Sequence, residues 1–474
     1  MTLVYILVFV VVAAVLGLGL RERGRLPVLL AISTLAVYAL QPALPLRGLD
    51  FWLPTATLAL AVLGWVLTTP GEQRSWRTNL PAAAILGGIV LALGLTRFLS
   101  FSLPLTASRP PQTFQILITL ASIAGTAFLL WRFLKPGRLL LSAGFFFIIL
   151  FFIFLKVPAL AEWVSKVLRG WNGQSTSLAS ALDLRWLGFS YIAFRLLHTL
   201  RDRQSGRLPA VGLSEYVVYI IFFPALAAGP IDRIERFVGD LRRPLALTSD
   251  DLGEAGNHLM LGLFKKFAIA DTLALVALNA NNAMQVRTAG WAWVLLYAYA
   301  FQIYFDFSGY TDIAIGLGRL LGIKLPENFK APYLKPNLTQ FWNNWHMTLT
   351  QWFRAYFFNP VTRALRSSRK PFSIPLIIFI TQMGTMVLIG LWHGVTWNFI
   401  MWGVWHGLGL FIHNRWSEWT KKPFMALPSA WQKTLNVGGM LLTFHFVTLG
   451  WVFFALPSPA ISGHFLQTLV GIKY

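Results

Sequence analysis

A chain of 474 residues with 56% hydrophobic and 12% charged side chains has too few charges for a soluble globular domain, which carries about 25%, and its mean hydropathy of +0.60 marks an integral membrane protein. The formal charge of +22 comes from basic residues scattered among short loops between apolar runs, the pattern of positive-inside topology and contact with membrane lipids, so no nucleic acid is expected as a partner. The absence of cysteine excludes disulfides, thiolate catalysis and thiolate metal sites together.

In chain order, charge-free runs occupy Met1–Leu20, Leu26–Leu46, Phe51–Gly71, Asn79–Thr96, Pro110–Trp131 and Leu139–Leu155. Each approaches the ~20 residues that cross ~30 Å of hydrocarbon as a helix. The first lacks a basic flank before its apolar core and is too long for an h-region, so it reads as a retained span and not a signal peptide. The loops alternate in charge. Arg21, Arg23 and Arg25 lie in the first, Arg47 and Asp50 cancel in the second, and Arg74 and Arg77 mark the third. Arg97 and Arg109 flank the fourth, and Arg132, Lys135 and Arg138 crowd the fifth. Odd loops should therefore be cytoplasmic and the N-terminus outside. After a span centred on Trp186–His198, Arg201, Arg203 and Arg207 continue the pattern.

At Tyr216–Ile231 the regularity fails. This apolar segment holds Pro224 and Gly229-Pro230, and the loop after it carries Arg233, Arg236, Arg242 and Arg243. Basic flanks on both sides suggest a re-entrant or broken helix, tolerated where its backbone is buried in protein or lines a cavity; a Pro-kinked span with a basic outer loop is the alternative.

From Gly253 to Arg369 charges recur inside hydrophobic sequence. Asp312 and Arg319 are seven apart and could pair along one helix, and Asp306 needs a partner such as Lys265 or Lys266. Buried ion pairs that fix helix packing, or a proton relay, would account for them. In the Trp-rich stretch Phe341–Phe358, Trp342 and His346 would share a helix face. Asn343 and Asn344 add amides that could hold an oxyanion; an interfacial amphipathic helix is the bland reading.

The segment Pro371–Asn414 contains no Asp, Glu, Lys or Arg and three histidines, two of them in Trp392-His393-Gly394 and Trp405-His406-Gly407. An ionisable side chain kept in such a segment marks a functional site by default. Apolar neighbours favour the uncharged ring of His393, which can act as a general base, and Gly390 and Gly394 leave room for a substrate. A structural histidine bonded across helices is the competing reading. His406 and His413 are seven apart, but no acid lies in the segment and the His-Glu-x-x-His pattern is absent, so no metal is expected. His198, His258, His445 and His464 read as packing or interface residues. A Gly-x-Ser-x-Gly elbow is absent too. The first 160 residues read as scaffold and the last 290 or so as the working half.

Five stretches carry a family resemblance: Phe222-Phe223-Pro224 through Gly229-Pro230-Ile231, Gly262 to Lys266, Phe305 to Tyr310, Glu327-Asn328-Phe329 through His346, and Leu391-Trp392-His393-Gly394 through Trp402-Gly403. In this order, within about Gly188 to Asn414, the chain resembles the membrane-bound O-acyltransferases, in the bacterial branch of alginate O-acetylation and teichoic acid D-alanyl transfer. The resemblance implies an all-α polytopic membrane protein with roughly 11 or more transmembrane helices and broken helices around a central tunnel. It would form a single membrane domain over residues 1–474, with scaffold spans at 1–180, a catalytic core at 181–420 and a C-terminal span at 421–474.

The resemblance places His393 on the family's intramembrane histidine and His346 on its second polar position, both catalytic. Trp342, Asn343, Asn344, Trp345 and Arg354 would bind substrate, and Arg233, Arg236, Lys265 and Lys266 would face the donor. The resemblance implies no bound cofactor and an acyl thioester, acetyl-CoA or an acyl-carrier protein, as the co-substrate. The acceptor would be an exported cell-surface polysaccharide, with a periplasmic or extracellular acyl-transfer protein as a further partner, in the bacterial cytoplasmic membrane. D-alanyl or other acyl transfer from a carrier protein to an envelope polymer is the alternative, and a transporter or flippase the contrasting class. Where many relatives have an acid after Phe353-Arg354 this chain has Ala355, and Asn359-Pro360-Val361-Thr362 replaces a Gly-Gly loop. Acceptor choice is therefore not carried over.

Overall fold

The computed structural model describes residues 2–19, 22–70, 75–100, 105–133, 137–369 and 372–472; Arg21, Arg74 and Lys135, and the side chain of Arg23, lie outside the described residues. Among them every regular element is helical and no strand occurs, as an all-α membrane protein requires. Each of the six charge-free runs coincides with a helix: Leu3–Gly19, Glu22–Leu40, Leu49–Thr68, Trp76–Leu95, Thr113–Phe133 and Arg138–Lys156.

Six helices of the described residues are long and apolar enough to cross a membrane, and Leu3–Gly19, Gly24–Leu40 and Leu213–Ala225 are shorter apolar ones. The expected eleven or so crossings thus cannot be counted by length and hydropathy alone. Hydropathy does not tell lipid from protein either. The Leu49–Thr68 window is 61% buried within the fold, while that of Thr113–Phe133, of similar hydropathy, is 6% buried.

The chain divides into two compact units, Met1–Leu259 with Ala314–Leu325, and Met260–Ile313 with Pro326–Tyr474. In the first, buried arginines hold irregular backbone. Arg25 donates from Nη1 to the carbonyls of Leu241 and Arg243 at 3.1 and 3.0 Å, and from Nη2 to that of Leu321 at 2.5 Å. The segment around Pro224 is broken, as expected. The Leu213–Ile221 helix has nine residues and rises about 14 Å, half of the hydrocarbon thickness. It leads into a 3₁₀ turn at Phe223–Ala225, and helix resumes at Ile234–Arg242. Arg195, 2% exposed, donates to the carbonyls of Ile220 (2.7 Å) and Ala225 (2.8 Å), taking up acceptors the break sets free.

The ion pairs differ from expectation. Asp312 does not pair with Arg319. Lys265 takes it at 2.6 Å from a neighbouring segment of the second unit, and Arg319 in the first unit meets Glu254 and Asp251, acids near the start of the Ser249–Leu263 helix. Lys266 pairs with Asp306, one of the two partners anticipated. Both lysines sit on a π-wound turn, Phe264–Ala270; a second π-wound turn covers Arg354–Phe358.

Candidate active site

In the second unit, Asn337 opens the Leu338–Asn344 helix by accepting the Gln340 amide at 2.9 Å. The helix does not continue to His346. Trp345 is extended, His346 is left-handed at φ 42°, and a new helix runs over Met347–Phe353. Trp342 and His346 therefore do not share one helix face; spacing by four places side chains together only along an unbroken helix. A left-handed histidine is strained, and such strain persists where the surroundings over-determine it. Here Asn328, fully buried, does so: its carbonyl accepts the Met347 amide at 2.9 Å, and its Oδ1 accepts the Thr348 amide at 3.2 Å and hydroxyl at 2.6 Å.

His393 ends the Ile374–His393 helix. The glycines beside it do not leave room for a substrate. A Cβ at Gly390 would collide with the Phe399 carbonyl oxygen, and one at Gly394 would lie 2.6 Å from the Phe399 ring. They let the chain turn back tightly, and so fix where the imidazole stands.

The two histidines line one cavity of about 60 Å³, walled by Phe307, Trp342, Trp402 and Phe454 among others. His346 lies edge-to-face on Phe307 (4.7 Å between centroids) and 6.0 Å from Trp392, which in turn is 4.6 Å from His393. Those two steps bound the separation of the imidazoles at about 11 Å. His346 is 2% exposed, and neither of its ring nitrogens has a hydrogen-bond partner; the buried indole N–H groups of Trp342 and Trp402 lack one too. Buried polar groups are normally satisfied, so a cluster of unsatisfied ones around a cavity marks where a ligand's polar atoms would go.

Two further cavities share walls with this one or with each other. One of about 240 Å³ shares Trp342 and Ile389 with it and holds Asn343 and Arg354; another of about 460 Å³ shares Phe358 and Gln382 with the second and is lined by Arg415 and Lys421. Ile378, Gln382, Thr385, Ile389 and His393 line the three in turn from one face of a single helix, a row about 22 Å long.

The structure brings some expected site residues together and leaves others apart. Trp342 and Trp345 line the histidine cavity, and Arg354 donates to Asn343 Oδ1 at 2.8 Å in the middle one. Asn344 lines none of the three and donates its amide to the Gln340 carbonyl. Lys265 and Lys266 are ion-paired, and Arg236 pairs with Asp232 at 2.7 Å in the first unit, where Arg233 is exposed. Gln382, Arg415 and Lys421 were missed as site residues, and Asn328 and Trp402 were read only as members of the family stretches; Gln382, a lone amide on a charge-free helix, was a readable signal. His406 is fully buried against Trp342, Trp402 and Phe446, and His413 Nδ1 lies 3.2 Å from Thr339 Oγ1. His198 is more than packing. Its Nε2 lies 3.2 Å from Asp202 and 3.9 Å from Glu235, the one group of metal-compatible donors among the described residues, in the first unit.

The family model of the membrane-bound O-acyltransferases matches residues 145–457, which include both histidines and all three cavities. The chain is similar to "Probable alginate O-acetylase AlgI" of Pseudomonas syringae pv. tomato, 37% identical over 278 residues, 58% of this chain and 50% of that protein. It is also similar to the teichoic acid D-alanyltransferase of Streptococcus thermophilus, 31% identical over 294 residues, covering 57% of this chain and 68% of the other. A peptidoglycan O-acetyltransferase of Helicobacter pylori is 35% identical over 265 residues, 55% of this chain and 47% of that one. The chain spans about half the length of the first of these relatives. With a matched family model over most of the chain and a relative covered over more than two thirds of its length, this protein belongs to the membrane-bound O-acyltransferase family.

Proposed function

We propose that the protein is a membrane-embedded O-acyltransferase that moves an acetyl group from a cytoplasmic thioester to a hydroxyl of an exported cell-surface polysaccharide, in the bacterial cytoplasmic membrane. The observation that carries this reading is the shared cavity of His346 and His393, with unsatisfied N–H donors in its wall. His393 takes the hydroxyl proton as the oxygen attacks the thioester carbonyl. The tetrahedral oxyanion accepts hydrogen bonds from His346 and from the Trp342 or Trp402 indole, donors of the kind worth ~2.7–4 kcal/mol each in such sites. The C–S bond then breaks, and the departing thiolate recovers the proton from the His393 imidazolium. Direct transfer of this kind forms no acyl-enzyme.

The row of cavities suits an extended thioester arm, with Arg415 and Lys421 at its outer end for the anionic part of coenzyme A or of a carrier protein. These two and Arg354 take the donor-side place in this reading because they line the row of cavities, as Lys265, Lys266, Arg233 and Arg236 do not. Arg415 also pairs with Glu418 at 2.7 Å in the same wall, which leaves Lys421 as the cation there without an ion pair among the described residues. A second reading, D-alanyl transfer to an envelope polymer, draws on the relative from Streptococcus thermophilus, the more fully covered of the three. A periplasmic or extracellular acyl-transfer protein fits either reading as a partner. Mass spectrometry of surface glycans with and without the gene tests both. Loss of acetyl ester on deletion, restored by the wild type and not by His393→Ala, is expected. Loss of alanyl ester selects the second reading, and unchanged esters refute both.

A further inference from the structure

A cleft of about 710 Å³ opens in the first unit, far larger than the histidine cavity and within the range of small-molecule sites. Most of its lining, Leu44 to Gln115, precedes the region that the family model matches. Three connections build it: the turn after the Glu22–Leu40 helix, the loop after Trp76–Leu95, and the chain end of the Pro158–Trp171 helix. With the expected outside N-terminus, and with each of the first six helices taken as one crossing, all three fall on the non-cytoplasmic side. Their meeting in one cleft agrees with that count.

The lining has a definite chemistry. Arg47, Arg97 and Arg109 converge there with Trp52, Trp171 and Asn172, and among the described residues no carboxylate lines the cleft. Among the described residues none of the three guanidiniums meets an acid. Arg97 donates to the Pro110 carbonyl at 2.8 Å and Arg109 to the Arg97 carbonyl at 3.3 Å, each leaving further N–H groups of its fork for a ligand. The nearest acid, Asp50, is buried and accepts the Ser108 hydroxyl at 2.8 Å. The loops are held in place: Gln174 donates to the Pro45 carbonyl at 2.9 Å and accepts the Arg47 amide at 3.1 Å. Trp171 is 81% exposed, as several interfacial tryptophans of this chain are, and its indole face is open to a molecule in the cleft. Planar guanidiniums recognise carboxylates through paired N–H bonds, indole faces suit the C–H faces of sugar rings, and an amide suits hydroxyls.

We propose that this cleft binds an anionic saccharide chain on the non-cytoplasmic face, its arginines pairing with carboxylates and its indoles lying against sugar rings. Identifying that chain as the acyl acceptor rests on the acyltransferase reading above; the binding itself does not. The Asn172 amide donates to the Leu168 carbonyl at 2.9 Å and keeps its oxygen for a hydroxyl; that oxygen and the two indoles beside the arginines favour a saccharide over a phospholipid headgroup, which offers charge but no sugar ring.

The test uses the full chain in nanodiscs of zwitterionic lipid, with hexagalacturonic acid as probe and its methyl ester as uncharged control. Binding of the acid, about tenfold weaker for the ester, is expected, as loss of a charge-assisted hydrogen bond implies. Arg47→Gln and Arg109→Gln should each weaken the acid about tenfold and leave the ester unchanged. Trp171→Ala, at an exposed site that folding does not need, should weaken both probes. Equal binding of acid and ester, or no effect of the arginine variants, overturns the proposal. Displacement of the acid by phosphatidylglycerol in the disc assigns the cleft to lipid and overturns it as well. Thioester consumption with a short soluble alcohol as acceptor is read in parallel. Turnover that depends on His393 without probe binding refutes the cleft alone, and probe binding without turnover refutes the enzyme reading alone.

Discussion

Two helices break inside apolar sequence, and each break has a basic side chain beside it. At Phe222–Pro230 the side chain is Arg195, and it gives two N–H groups to the carbonyls of Ile220 and Ala225. At Trp345 the side chain is His346, and its ring bonds to nothing; Asn328 holds the backbone instead. A polar group that spends its hydrogen bonds on its own chain is a structural part. One held by others, with its own bonding capacity kept free beside a cavity, is available to a substrate. The lesson is that position in an apolar run does not separate the two, whereas an account of hydrogen bonds taken together with the cavity beside them does.

That contrast can be broken or sharpened by substitution. The largest effect is expected at His393, across the cavity from His346. His393→Ala should lower transfer by ~10²–10⁴-fold, the usual contribution of a general base, with an unchanged melting profile in detergent. Wild-type transfer by the folded variant would end its assignment as base. Arg195→Met should act the other way. It strands two buried carbonyls at about 1–3 kcal/mol each, seen as a lower melting temperature and poor recovery from the membrane. A fully stable Arg195→Met protein would show that the break needs no such clamp.

His346→Gly separates the two roles in one residue. Glycine accepts the left-handed backbone without strain, so stability should hold or rise by about 1 kcal/mol while transfer falls ~10²–10³-fold. A change in KM alone would instead make His346 a binding residue. Asn328→Ala should lower kcat through a misplaced His346 and cost about 1–3 kcal/mol of stability; kcat measured on the folded fraction distinguishes positioning from unfolding. The smallest effect is expected at His406, whose ring nitrogens are also unpartnered but whose ring lies among aromatic side chains outside the cavity lining. His406→Phe should keep transfer within about threefold and stability unchanged or higher, because it removes an unsatisfied buried polar group. A collapse of transfer would bring His406 into the site.

Much of the fold was legible because charge-free runs and prolines act locally. Six runs became six helices, and Pro224 marked the place where an apolar helix breaks. The site was legible as a set of residues and not as a geometry. Spacing by four predicted a shared face for Trp342 and His346, but nothing in Trp345-His346 breaks a helix by composition; the break is imposed by Asn328 from another part of the chain. The glycines around His393 are small because Phe399 packs there, which only the turn reveals. Asp312 has Lys265 where the sequence pointed to Arg319 and kept Lys265 or Lys266 for Asp306, since partner choice depends on which helices meet. The row of three cavities needed the packed helices for the same reason.

The π-wound turn at Arg354–Phe358 makes this region sensitive to chain length as well as to chemistry. A wider turn accommodates an added residue within a helix. Removing one residue there would let the segment relax to ordinary winding with little change of phase, whereas adding one without further widening would rotate everything after it by about 100° about the helix axis. Phe358, which lines two cavities at once, would swing away from both, and the Asn359–Arg366 helix would present a different side with every one of its functional groups intact. The wide turn that keeps this phase is a spacer, and an alignment of substitutions alone would never display its contribution.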